Sequence, residues 1–333
     1  MPPNTPTKSS RRDPLEERLN AVSALRREPV GPELLAKLRA ALADPHNQMV
    51  ARAARVAGDL SLGELEPELK AAFLRFMADP YKLDKGCSAS KAIVEALLTL
   101  EADAPAVYRR GSRHVQREPA FGGPVDVAIE LRANCAMGLS GTAYPEVVVD
   151  LVPLLVDPAE FVRSTAARAI AAAARVDSEA VLRLKALVGD SEPDVIAECL
   201  TGLMRLSPER SFDLIEEFLA KDDLFLRKAA MLALGEARHP RAAKRLIELW
   251  PGEIDRDARR VLLLALATSR REEAFDFLVE LVAESNIAAA VAALDALAVF
   301  PQDSRLRRHV DDAIRASRHF RDLRSRLSGE VQE

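Results

Sequence analysis

An internal period of about 32 residues constrains this 333-residue chain more than any other feature. An adjacent small-then-large pair marks it. Gly138-Leu139, Ala169-Ile170, Gly202-Leu203, Ala233-Leu234, Ala265-Leu266 and Ala296-Leu297 follow one another at steps of 31, 33, 31, 32 and 31 residues. Two further columns keep the register: Leu131, Val162, Val195, Leu226, Ala258 and Ala289, then Cys135, Ala166, Cys199, Ala230, Leu262 and Ala293. Within "FVRSTAARAIAAA" (161–173), Phe161, Val162, Thr165, Ala166, Ala169, Ile170 and Ala173 share one helical face. The small residue of each pair permits a neighbouring helix to approach closely, and the large one fills the layer behind it. Other helices lie between, such as "PEVVVDLVPLLV", "SEAVLRLKALV" and "EEAFDFLVELVA". Each period therefore reads as helix A, a short turn and helix B. Neither helix buries its apolar face alone. Stacked periods bury a continuous core, and the ends need caps.

Local signals agree. "DPAE" (157–160) offers Asp as N-cap, Pro at the first helical position and Glu at the third, and "SPE" (207–209) starts a helix the same way. The chain is 48% apolar but only 5% aromatic, and Ala and Leu lose little entropy in a helix. Residues 1–13, rich in Pro, Ser and Thr, read as a disordered leader. Residues 14–333 read as one repeat domain, irregular over about 14–126 and regular over about 127–300, with an Arg-rich capping helix at about 304–327.

The D-P-x-E-x-V-R run at 157–163 and the following A-A-x-A-I resemble the HEAT-like repeat family, in particular its short bacterial form named after phycobilisome lyases. Over residues 31–300 the resemblance implies an all-α, right-handed α-solenoid of about eight helical hairpins closed by a C-terminal capping helix. The scaffold hosts scaffolding proteins, lyases, hydroxylases and DNA glycosylases, so the resemblance speaks to fold rather than to activity.

The register breaks at one place. The Gly138-Leu139 pair recurs at Ala96-Leu97, 42 residues earlier, with Ile93 and Ala89 in their columns. The excess of about 11 residues equals "QREPAFGGPVD" (116–126), an insertion between "APAVYRRGSRHV" and "VAIELRANCAMGL". The preceding period is also stretched in its turn, "DPYKLDKGCSAS". Both long turns fall on one edge of adjacent repeats, and packed helices lie only ~8–10 Å apart, so the turns can touch. Together they offer Tyr81, Lys82, Asp84, Lys85, Cys87, Arg113, His114, Arg117, Glu118 and Phe121 as candidate partner- or ligand-binding residues. The alternative is that the loops pack on each other and relieve a mismatch between repeats. Phe121 is the expected anchor in either case.

Other chemistry is sparse. Three cysteines, Cys87, Cys135 and Cys199, have neither disulfide-framework nor metal-site spacing, which favours a reducing cytoplasm. Cys87 follows Gly86 near a helix start beside Lys85, a setting that can activate a thiol, but no base adjoins it in sequence and a small helix-start residue is the favoured reading; Cys135 and Cys199 occupy a core column. None of the five histidines lies in H-E-x-x-H, and none is followed by glutamate as in the His-Glu pairs of HEAT-repeat deoxyhypusine hydroxylases. No metal or other cofactor is therefore expected. Arg132, Arg163, Arg227 and Arg259 share a helix-B column and are expected to tie to acidic groups of neighbouring repeats rather than to phosphates. The net charge of −4 and a single tryptophan, Trp250, argue against nucleic acid as a partner. No run approaches the ~18 apolar residues of a membrane span.

The expected function is a non-catalytic adaptor that binds a protein. The alternative is a lyase- or chaperone-like protein handling a cofactor or modified protein through loops 79–90 and 113–126.

Overall fold

A computed structural model describes residues 14–299 and 304–327, so the leader expected at 1–13 lies outside the described residues. The chain forms two compact units divided between Ala169 and Ile170. In the first, helices α1 (Pro14–Ala24), α2 (Pro32–Leu42), α3 (Asn47–Asp59), α4 (Glu66–Phe76), α5 (Pro80–Leu83), α6 (Ser88–Thr99) and α7 (Pro105–Ser112) precede a two-stranded hairpin. The strands β1 (Arg117–Glu118) and β2 (Val125–Asp126) are followed by α8 (Ile129–Ser140), α9 (Val147–Leu151) and α10 (Glu160–Ala173), whose last turn belongs to the second unit. The second unit contains α11 (Ser178–Val188), α12 (Pro193–Leu206), α13 (Pro208–Leu219), α14 (Leu224–Ala237) and α15 (Pro240–Leu249). It continues through α16 (Arg256–Ser269), α17 (Glu272–Glu284), α18 (Ile287–Ala298), α19 (Ser304–Ala316) and α20 (Phe320–Leu327).

The fold class is all-α, built from stacked helical hairpins. In the first unit α2 packs on α3, α4 on α6 and α7 on α8, while α3, α6 and α8 stack in series. In the second, the hairpins α11–α12, α13–α14, α15–α16 and α17–α18 have α12, α14, α16 and α18 as their stacked layer. The sequence columns are the floor of these stacks. Cys135, Ala166, Cys199, Ala230, Leu262 and Ala293 are wholly buried, as are Leu139, Ile170, Leu203, Leu234 and Leu266. In the column of Leu131, Val162 and Val195, Leu226 is the exception and is half-buried.

Glycines mark where neighbouring helices approach most closely, Gly138 and Gly202 in the small-residue column and Gly235 two residues beyond Ala233. A Cβ added at Gly138 would stand 2.5 Å from the Tyr108 ring, one at Gly202 2.7 Å from the Cβ of Ala171, and one at Gly235 2.5 Å from the carbonyl oxygen of Ala265. Backbone cannot rotate away as a side chain can. Gly235→Ala is therefore expected to destabilise the protein by about 1–3 kcal/mol through overpacking, despite alanine's better helix propensity. A urea midpoint equal to or above that of the wild type would contradict this close approach.

Three local expectations need correction. "PEVVVDLVPLLV" is not one helix: α9 ends at Leu151 and a 3-10 turn, Val152–Val156, follows. Pro153 has no N–H to continue an α-helical ladder. The capping helix expected over 304–327 is two helices, α19 and α20. They part at buried Ser317, whose hydroxyl accepts the His319 N–H at 3.2 Å. Ser207 does not cap α13: its hydroxyl lies 3.4 Å from that of Ser211, so Pro208 alone starts the helix. Asp223, Asp255 and Asn286 do cap α14, α16 and α18 with their side chains.

Candidate functional site

The stretched turn and the insertion meet in the first unit. The turn holds α5, a single helical turn, and then a 3-10 segment, Lys85–Cys87, which leads into α6. Gly86 and Cys87 both take left-handed backbone, with φ of +69° and +51°. For cysteine that conformation is strained, and the surrounding contacts must hold it. Asp84 supplies them. Its carboxylate is fully buried and accepts from the Ala89 N–H at 2.9 Å, the Ser90 N–H at 2.9 Å and the Ser90 hydroxyl at 2.7 Å. Asn47, at the start of α3, donates its Nδ2 to the same carboxylate at 3.3 Å and to the Lys85 carbonyl at 3.2 Å. Asp84 thus caps the first turn of α6 and ties it to α3.

The insertion 116–126 is a β-hairpin, where the sequence predicts a long turn. Arg117 pairs with Asp126 and Glu118 with Val125. The Val127 N–H extends the ladder to the Gln116 carbonyl at 2.9 Å. At the tip, Gly122 and Gly123 take φ of +95° and +125°, backbone that a side chain resists, and this is the local reason for the Gly-Gly sequence.

The root of the hairpin is bound to the turn. Buried Gln116 donates Nε2 to the Asp84 carbonyl at 3.0 Å and to Glu118 Oε1 at 2.6 Å, while its Oε1 faces His114 Nε2 at 2.9 Å. Glu118 Oε1 also accepts the Gly86 N–H at 2.7 Å. The Tyr81 hydroxyl accepts the Arg117 N–H at 3.4 Å. On the other side, Asp126 Oδ1 accepts the Ala128 N–H at 3.0 Å, and its Oδ2 accepts Arg132 Nη1 at 2.8 Å. Burial acts to raise the Asp126 carboxyl, but the Ala128 N–H and the Arg132 guanidinium outweigh it and hold the group below its ordinary value.

Of the candidate residues, the structure brings Tyr81, Asp84, His114, Arg117 and Glu118 into one network, with the side chains of Lys82, Lys85 and Arg117 exposed beside it. It places three others differently. Arg113 turns away and joins Arg109 on Asp150 of α9, with Arg109 Nε at 2.6 Å. Phe121 does not pack on the protein at all: the hairpin tip leaves it 109% exposed relative to a reference residue. Cys87 is wholly buried, and burial, with the Asp84 carboxylate beside it, pushes its thiol up to about 12. The activated-thiol reading therefore fails. At pH 8 such a thiol is ionised in about one molecule in ten thousand. Iodoacetamide at pH 8 is expected to label none of the three cysteines natively and all three in guanidinium. Rapid native labelling of Cys87 would contradict its placement.

The sequence reading missed Asn47, Gln116 and Asp126. Asn47 lies 37 residues from Asp84, and no local pattern signals that contact. Gln116 and Asp126 bound the 11-residue excess, and polar residues at the two roots of an insertion are the one signal that marks them.

The arginine column is also occupied. Arg132 reaches the next turn bidentately, Nε to Asp157 Oδ2 at 2.8 Å and Nη2 to Asp157 Oδ1 at 3.0 Å, and Arg227 reaches Glu253 at 2.8 Å. The ties expected to neighbouring repeats thus form at these two positions. Arg259 departs from that expectation and donates to the Glu253 carbonyl of its own turn, while Arg163 donates to the Asp157 and Pro158 carbonyls. Among the described residues no cluster of His, Cys, Asp and Glu is arranged to hold a metal ion, and no helix is long and apolar enough to cross a membrane.

Residues 180–267 match the family described as HEAT repeats. Among solved structures, the chain is similar to the complex of CpcE and CpcF of phycocyanin lyase from Nostoc sp. PCC7120, at 17% identity and a TM-score of 0.39, covering 93% of this chain and 100% of that one. It is also similar to human deoxyhypusine hydroxylase in complex with glycerol, at 19% identity and a TM-score of 0.30, covering 78% of this chain and 92% of that one. No curated protein matches the sequence. The match thus places HEAT repeats at residues 180–267, and stacked helical hairpins build both units.

Proposed function

We propose that this protein is a non-catalytic adaptor that grips a protein partner through the 113–126 hairpin and the adjoining 79–90 turn. The observation that carries this reading is the exposure of Phe121 at the tip of a hairpin whose root is bonded on both sides. A fully exposed phenylalanine contributes nothing to folding by burial, yet it supplies a large aromatic anchor to an interface. Holding the root in place lowers the entropy that binding must otherwise spend on ordering the loop. Tyr81, Val115 and Val125, each about half exposed, add apolar surface, and Lys82, Lys85 and Arg117 ring it with positive charge. The complementary partner surface is an apolar pocket bordered by carboxylates. A standard interface needs ~800 Å² on each side, an area within reach of a hairpin and the turn beside it.

The alternative, an enzyme working through the same loops, needs a reactive group there. The two side chains best suited to that work, Cys87 and Asp84, are both committed to the fold. The adaptor reading is tested by immobilising the full-length protein and Phe121→Ala in parallel and exposing both to host extract. At least one protein retained by the wild type is expected to fall tenfold or more on Phe121→Ala, with the melting temperature unchanged within about 1 °C. An identical retained set from both proteins would remove the hairpin from the interface.

A further inference from the structure

We propose that the groove between the first turns of α16 and the adjoining length of α18 from Ile287 to Asp295 is a second recognition site, taking a partner segment that carries a large apolar side chain flanked by carboxylates. This rests on the reading of the chain as protein-binding, but not on the hairpin, which belongs to the other unit. The groove encloses about 290 Å³, room for one bulky side chain rather than a large cofactor. Trp250, Ile254, Ile287, Val291 and Ala292 form its apolar walls. Trp250 is fixed between neighbours: the Arg259 guanidinium lies 5.0 Å over its ring and Phe277 meets its edge at 6.4 Å. Ile254, at the lip, is 89% exposed, an apolar surface with no cover from its own chain.

The charge around the groove is what selects the occupant. Arg256 and Arg260, one helical turn apart on α16, both line it and are exposed. Neither has an acidic partner among the described residues, whereas Arg132, Arg227 and Arg245 are each paired with a carboxylate. The one acid in the lining, Asp295, makes an interaction of its own. Two unpaired guanidiniums beside an apolar floor fit carboxylates next to a hydrophobic side chain, because each charge-assisted pair fixes orientation while the apolar group fills the pocket.

Trp250 is the chain's single tryptophan and therefore reports this groove alone. The probe is the N-acetylated, C-amidated pentapeptide Asp-Leu-Phe-Asp-Glu, titrated into the full-length protein while Trp250 emission is followed. A saturable change is expected. It weakens at least tenfold when the peptide's acids are replaced by Asn and Gln, when Arg256→Gln and Arg260→Gln are combined, and when salt rises from 0.05 to 0.5 M. Both arginines are exposed, so the double variant is expected to keep the wild-type helicity and melting curve. Phe121→Ala is expected to bind the peptide normally, so a failure of this site and a failure of the hairpin are told apart. No change at millimolar peptide, or equal binding of the neutral peptide, would overturn the proposal. Saturation by 4-phenylbutyrate without saturation by the peptide would overturn it too, in favour of a small-molecule pocket.

Discussion

Replacing Arg132 by methionine is expected to destabilise the protein by about 3–5 kcal/mol, the range for removing one partner of a buried ion pair. Arg132 is 2% exposed. Its guanidinium closes two links at once, the bidentate pair with Asp157 and the bond to Asp126 at the hairpin root, and it also donates to the His114 carbonyl at 3.1 Å. Methionine fills a similar volume but leaves two carboxylates without their counter-charge. Arg132→Lys keeps the charge and loses the fork, so a smaller loss is expected. The effect is read from urea unfolding midpoints. Its pH dependence has a definite sign. Asp126 titrates below its ordinary value when folded, so its contribution is present above the ordinary carboxylate range and lost as pH falls through the folded value. Arg132→Met removes part of that depression, so the variant is expected to lose less of its remaining stability on acidification. A change under 1 kcal/mol at neutral pH would show that the pair is not the bolt between α8 and the turn at Asp157.

The second large effect is at Asp84. Asp84→Ala is expected to cost about 2–4 kcal/mol, because it strips the first turn of α6 of its acceptor and leaves the Ser90 hydroxyl and the Asn47 amide without their buried partner. Asp84→Asn keeps Oδ1 for Ala89 and Asn47 but replaces the acceptor used by Ser90, so an intermediate loss is expected. Were Asp84 instead a catalytic acid, its replacement would leave stability unchanged or improve it, as removal of a functional buried charge often does. Equal melting temperatures for Asp84→Ala and wild type would therefore reopen the enzymatic reading.

Legibility divides along a physical line. The period, the buried columns and the helical hairpins follow from spacing, and spacing survives in any sequence whose core is one stripe per helix. Ala169-Ile170 and Gly202-Leu203 announce their burial through period alone. The insertion at 116–126 was legible as an excess of residues, and its contact with the 79–90 turn followed from the two lying in adjacent repeats. Its β-pairing was not legible, because two residues per strand leave no alternation to read. Nor was the fate of each candidate side chain. Neighbours in sequence leave Cys87 between an activated thiol and a small helix-start residue, and burial, which local order does not show, decides for the second. Arg113 lies next to the insertion and still pairs with Asp150 of α9, because the closest carboxylate in space is 37 residues away in the chain. The breaks at Pro153 and Ser317 differ in legibility: the missing N–H of the proline is written in the sequence, while nothing there signals that the serine is buried.

The central claim is that the hairpin and the turn form one rigid body with a free tip. Hydrogen exchange of the wild-type protein alone tests this most directly. Amides of Gly86, Cys87, Ala89 and Ser90, together with Gln116, Arg117 and Val127, are expected to be protected as a group and released together, while those of residues 120–122 exchange at the rate of an unstructured peptide. Exchange of the whole 113–128 segment within seconds would contradict the account, for the aromatic tip would then have no fixed base from which to bind.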